Sequence, residues 1–260
     1  MENKKATICQ KLFVILAIAM TLFQIYTSMF RPFSDIILQN YHIALAYTLI
    51  FLAAMDNCEG EKGAAIKRAL YFISIIITLI CVIYMVQNYQ TLVANVGRVD
   101  KAAYIIGALL AIVTLYATYK SFGPAIPILT ILFISYMFWG KYVSWNILHH
   151  GGFSVKRVIS TLNISLGGMY GSMLNVAATY IALFMIFGGL LGKSGAGDFF
   201  MDFSLAVGGK TKAGPALAAV MSSALMGSIN GSAVANVATT GAFTIPMMKD
   251  CGYELNLLVQ

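Results

Sequence analysis

Four small oxygen-bearing side chains, Ser228, Asn230, Ser232 and Asn236, fall within the ten residues GSINGSAVAN that begin at Gly227. Neutral hydroxyl and amide oxygens at this density suit a monovalent cation such as Na⁺. The interleaved Gly227 and Gly231 give the backbone freedom to turn and to approach a neighbour closely. Residues 213–248 around them run for 36 positions without a charge. As one straight helix they would reach roughly 54 Å, against a hydrocarbon core about 30 Å thick. Broken at the polar middle, the run becomes a re-entrant hairpin of two half-helices that enter and leave on one face. A helix ending near Gly227 aims carbonyls and its negative dipole end at the break, which suits a cation. A helix starting near Ser232 presents N–H groups, which suit an anionic substrate. The competing reading is small-residue packing, in which Gly, Ala and Ser only let two helices touch.

Other motifs carry less. GGLLGKSG, 188–195, leaves three residues between its first glycine and Gly-Lys-Ser where a phosphate loop needs four, and it follows an apolar run rather than a soluble strand. Its Gly-Lys-Ser-Gly resembles the serine motif of rhomboid proteases. That chemistry needs a histidine base, and the histidines are His42, near the start of an apolar run, and the loop pair His149 and His150. No enzyme is expected. Cys9, Cys58, Cys81 and Cys251 form no CxxC pair, so neither a disulfide framework nor a metal site is implied. Gln39, Asn40 and His42 read as an interfacial helix end, and Trp139, Tyr142 and Trp145 as interface anchors.

The elements that must position the polar stretch follow from composition. The 260 residues are 59% hydrophobic and 10% charged, whereas soluble domains carry roughly 25% charged residues. This is the composition of an all-α integral membrane protein. Uncharged runs at 12–30, 36–55, 69–86, 102–119, 124–140 and about 171–191 give six transmembrane helices. RPFSD alone separates the first two, which must form a tight hairpin. Phe199, Phe200 and Phe203 alternate with Asp198 and Asp202 at helical spacing, as in an interfacial amphipathic helix. Eleven of the 17 basic residues fall on one side, which favours a cytoplasmic N-terminus. The net charge of +7 lies in the loops between spans and forms no basic face for nucleic acid.

Residues 192–253, and GSINGSAVANVATTGAFTIPMM within them, closely resemble the first part of the large membrane subunit of tripartite ATP-independent periplasmic (TRAP) transporters. The closest likeness is to TAXI-type permeases, in which a small four-helix subunit is fused ahead of the large one. The resemblance implies a small-subunit-like scaffold over 1–120 and the beginning of the large subunit over 121–260. It implies an elevator mechanism, a Na⁺ gradient as driving force with no other cofactor, and a soluble periplasmic or extracellular solute-binding protein that delivers a small organic anion, a carboxylate by class. It places the protein in the inner (cytoplasmic) membrane. Carried over, Ser228, Asn230, Gly231 and Ser232 belong to a Na⁺ site, and Asn236, Thr239 and Thr240 line the substrate cavity. The family has more spans and a second hairpin, so the chain is expected to be an N-terminal fragment with half of each site. The alternatives are another hairpin-containing secondary transporter that works without a binding protein, and a non-transporting membrane scaffold.

Overall fold

The structure is a computed structural model that describes residues 8–58, 63–94, 100–145, 147–165, 167–208, 214–230, 233–250 and 252. The described residues contain no strand, and their helices are α1 (Ile8–Phe30), α2 (Asp35–Asp56), α3 (Ala64–Ala94), α4 (Lys101–Phe122), α5 (Ala125–Trp139), α6 (Val155–Asn163), α7 (Ser172–Val176), α8 (Ala182–Lys193), α9 (Ala196–Gly208), α10 (Gly214–Asn230) and α11 (Ala233–Asp250). Six stretches among them are long and apolar enough to cross a bilayer: the helices at Ile8–Phe30, Asp35–Asp56, Ala64–Leu92, Lys101–Phe122, Ala125–Tyr142 and Ser172–Leu191. The last includes a π-helical turn at Ala177–Ile181. Each coincides with one of the six apolar runs and extends it by a few residues at most ends. In lipid a spanning backbone satisfies its polar groups only within itself, so an apolar run long enough to cross becomes a helix.

The chain divides into two compact units, Met1–Ala178 and Thr179–Gln260. In the first, α2, α3 and α4 surround a core of Ile43, Cys81, Val82, Met85 and Leu110, extended by Ile164 and Tyr170. A second core, toward the ends where α2 and α4 finish, stacks Phe51, Tyr71 and Tyr116 above Val113 and Ala117. The Lys120 ammonium lies 5.2 Å from the Tyr71 ring centroid, where a cation at a span end finds an aromatic face. Spans begin and end on local signals. Arg31 adopts a left-handed conformation (φ 43°) just before Pro32, turning α1 into α2 within four residues. Gly123 does the same at φ 75° and closes α4 with an N–H bond to the Tyr119 carbonyl, and Pro124 then opens α5. Within the spans, hydroxyls turn inward: Thr48, Ser74, Thr78, Thr114 and Thr118 each donate to the carbonyl four residues back, so none needs water.

In this unit Gln39, Asn40 and His42 depart from the interfacial expectation. Gln39 is 2% exposed and Asn40 0%, both turned into the protein. Gln24 Nε2 meets His42 Nδ1 at 2.7 Å, and the Tyr170 hydroxyl donates to Asn40 Oδ1 at 2.8 Å. Burial pushes the Tyr170 phenol well above its ordinary pKa, so it stays a donor. Asn175 Nδ2 donates to Asp35 Oδ2 at 3.2 Å. Asn40 and His42 pair across helices, which their position in the first turns of α2 did not reveal, whereas Gln39 Oε1 is buried without a partner.

In the second unit α10 is central, contacted by α8, α9 and α11. On α9, Phe199, Phe203 and Val207 face outward together with Asp198 and Asp202, while Ser204 is 0% exposed. A Cβ on Gly208 would sit 3.3 Å from both the Gly214 carbonyl and Leu217 Cβ, so a glycine permits this close approach of α9 to α10.

Candidate hairpin site

α10 and α11, of 17 and 18 residues, form the helical hairpin expected over 213–248. The described part of α10 runs further than the glycine pattern suggested. α10 continues through Gly227 and Ser228 to Asn230, and α11 begins at Ala233. Gly227 therefore serves close approach rather than chain reversal: a Cβ there would lie 3.0 Å from Asn236 Nδ2 on the opposing helix. Helical hydrogen bonding outcompetes the intrinsic preference of a single glycine, which costs a helix only about 1 kcal/mol relative to alanine.

Among the described residues, Asn236 joins the two arms by side-chain hydrogen bonds. Its Nδ2 donates to both the backbone carbonyl and the hydroxyl of Ser223 on α10, at 3.1 Å each. Its Oδ1 is buried and has no partner. Ser223 is missing from the sequence reading; it lies one helical turn before Gly227, on the face of α10 that meets Asn236.

The neighbouring hydroxyls share one feature. Ser228, exposed in the last turn of α10, donates to the Leu225 carbonyl at 2.7 Å. Thr240, buried on α11, donates to the Asn236 carbonyl at 2.8 Å. Each hydroxyl proton is thus spent on the helix backbone, and the oxygen keeps lone pairs for anything else that approaches. Together with Asn236 Oδ1 the described side chains of the hairpin are rich in acceptors, which suits a small cation better than an anion. Among the described residues there is no cluster of three His, Cys, Asp or Glu that would favour a transition metal or a high-affinity divalent site. Asn230 ends α10 and Thr239 lies within α11; their side chains, with Gly231 and Ser232, lie outside the described residues. Of the seven expected site residues, the structure brings Asn236 and Thr240 together through a hydrogen bond and sets Ser228 near the hairpin's tip.

With this geometry in place, comparisons with known proteins place the chain. The sequence profile of the family described as tripartite ATP-independent periplasmic transporter, DctM component, matches residues 105–257, more than half of the chain. A Haemophilus influenzae protein named provisionally as a TRAP transporter large permease protein is 32% identical over 76 residues, 29% of this chain. The matched stretch spans 18% of the length of that relative. No solved structure matches. The family match begins within α4 and runs through α11, so the chain belongs to the DctM component family of tripartite ATP-independent periplasmic transporters, a family of secondary-transporter permeases.

Proposed function

We propose that the chain is part of the permease of a Na⁺-coupled importer of small organic anions, delivered by a soluble solute-binding protein. The observation that carries the ion coupling is Asn236 Oδ1, a buried amide oxygen with no partner between the two arms of the hairpin. Leaving such an acceptor unpaired costs about 1–3 kcal/mol. A cation at the hairpin removes that cost, using Asn236 Oδ1 with oxygens from Ser228, Asn230 and Ser232, while Gly231 allows the turn. A carboxylate substrate then finds the N-terminal end of α11, where N–H groups and the positive dipole end favour an anion, with Thr239 and Thr240 along the cavity. Residues 1–120 act as a small-subunit-like scaffold fused to the large subunit in the TAXI manner, and the hairpin rides on a mobile elevator domain. The protein sits in the inner membrane with its N-terminus in the cytoplasm.

The test is uptake into proteoliposomes by the full-length protein with its binding protein, under Na⁺ and under K⁺ gradients. Uptake requires Na⁺, and Ser228→Ala with Asn230→Ala raises the Na⁺ concentration needed for half-maximal rate severalfold. Na⁺ dependence untouched by that pair refutes the site; uptake without Na⁺ refutes the coupling.

A further inference from the structure

A second site stands at the opposite end of the molecule's first hairpin. α1 and α2 are antiparallel, so the first turn of α1 lies beside the last turn of α2, at one membrane face. There Gln10 Nε2 donates to Asp56 Oδ2 at 2.8 Å. The other carboxylate oxygen, Asp56 Oδ1, is buried and has no partner. Asp56 also lines a cavity of about 220 Å³, walled by Phe13 and Val14 of α1 and Leu52 and Ala53 of α2, with Cys9, Gln10 and Asn57 among its lining.

An ionised carboxylate only accepts hydrogen bonds, so the missing partner is a donor. Its charge, and the negative end of α2, which finishes at Asp56, ask for a positive one. A divalent metal would want several carboxylates or carbonyls, and no group of three acidic, Cys or His side chains exists among the described residues. A bare monovalent ion would leave most of this cavity and its four apolar wall residues without contact. An organic ammonium fills both needs, with N–H donors for Asp56 Oδ1 and a carbon stem for Phe13, Val14, Leu52 and Ala53. At the ends of two spans, the ammonium available at high local concentration is that of a lipid headgroup.

We propose that this cavity binds the primary ammonium headgroup of an aminophospholipid, with Asp56 as its anionic acceptor and Gln10 holding the carboxylate in place. The α1–α2 hairpin is then secured at this end by a lipid. α1 has little else to hold it, since Gln24 and Thr27 are its buried residues among those described.

The full chain in nanodiscs tests this by its thermal denaturation midpoint. Discs of phosphatidylethanolamine and of phosphatidylcholine, each with the same fraction of phosphatidylglycerol, are compared along the N-methylation series between the two headgroups. The expected result is a midpoint several degrees higher with phosphatidylethanolamine, retained while one N–H remains and lost at the quaternary choline. Asp56→Asn should erase the difference, while Asp35→Asn, on the exposed carboxylate at the other end of α2, should keep it. If Asp56→Asn does not fold, the methylation series on the wild-type chain decides alone. Equal midpoints throughout, a graded loss that ignores the last N–H, or a preference that survives in Asp56→Asn each overturns the proposal. Free ethanolamine that raises the midpoint in phosphatidylcholine discs as far as the lipid does overturns the lipid assignment in favour of a soluble amine.

Discussion

Asn236→Ala separates an ion ligand from a mere clamp between α10 and α11. The substitution removes both bonds to Ser223. Side-chain hydrogen bonds between membrane helices average about 0.6 kcal/mol each, so their loss costs roughly 1 kcal/mol. It also removes a buried oxygen that has no partner, returning about 1–3 kcal/mol. In Na⁺-free buffer the loss offsets part or all of that return, and the variant should be as stable as wild type or up to about 2 kcal/mol more stable. Sodium changes the comparison. A ligand that binds only the folded state at a hundred times its dissociation constant stabilises by about 2.7 kcal/mol. Wild type should therefore gain stability with Na⁺ over an equal concentration of choline, and Asn236→Ala should lose most of that gain. The assay is denaturation of the purified protein in detergent over a Na⁺ titration, with total ionic strength held constant. A variant that is destabilised by 2 kcal/mol or more without Na⁺ and keeps the full Na⁺ response would refute the reasoning, because Asn236 would then be a clamp and nothing more.

Three further outcomes follow from other positions. Tyr170→Phe removes the donor to Asn40 Oδ1 and leaves that buried oxygen unpaired, so stability should fall by about 1–3 kcal/mol; Tyr170→Phe combined with Asn40→Leu should recover part of the loss in the same melting assay. Ser204 is fully buried with a hydroxyl that has no partner, and Ser204→Ala should be neutral or stabilise by about 1 kcal/mol, a result that a sizeable loss in thermal stability would contradict. Gly123→Ala forces an alanine to φ 75° at the α4–α5 turn and should cost about 1 kcal/mol; an unchanged melting curve would mean that the turn relaxes to another conformation.

Much of this molecule was legible in its sequence because a bilayer leaves the backbone few choices. A run of about 20 apolar residues in lipid has to be helical, and its ends are marked by charges, Pro and Gly, so six spans could be counted from residue types alone. An uncharged run of 36 residues is too long for one crossing, so the hairpin over 213–248 followed from length. Where polar groups find their partners did not follow, since that depends on residues distant in the chain. Asn40 meets Tyr170 across 130 positions, and nothing in the first turns of α2 distinguishes a buried, paired Asn from one at the interface. Gly227 looked like the place where the helix breaks, yet α10 runs on to Asn230 because several satisfied helical hydrogen bonds outweigh one glycine's preference. The same holds for Asp56: its type and position marked it only as a charge at a span end, and the packing of α1 against α2 decided which of its oxygens has a partner and which is buried without one. Residue type sets what a side chain can donate or accept, whereas only tertiary structure decides which of those capacities are already spent.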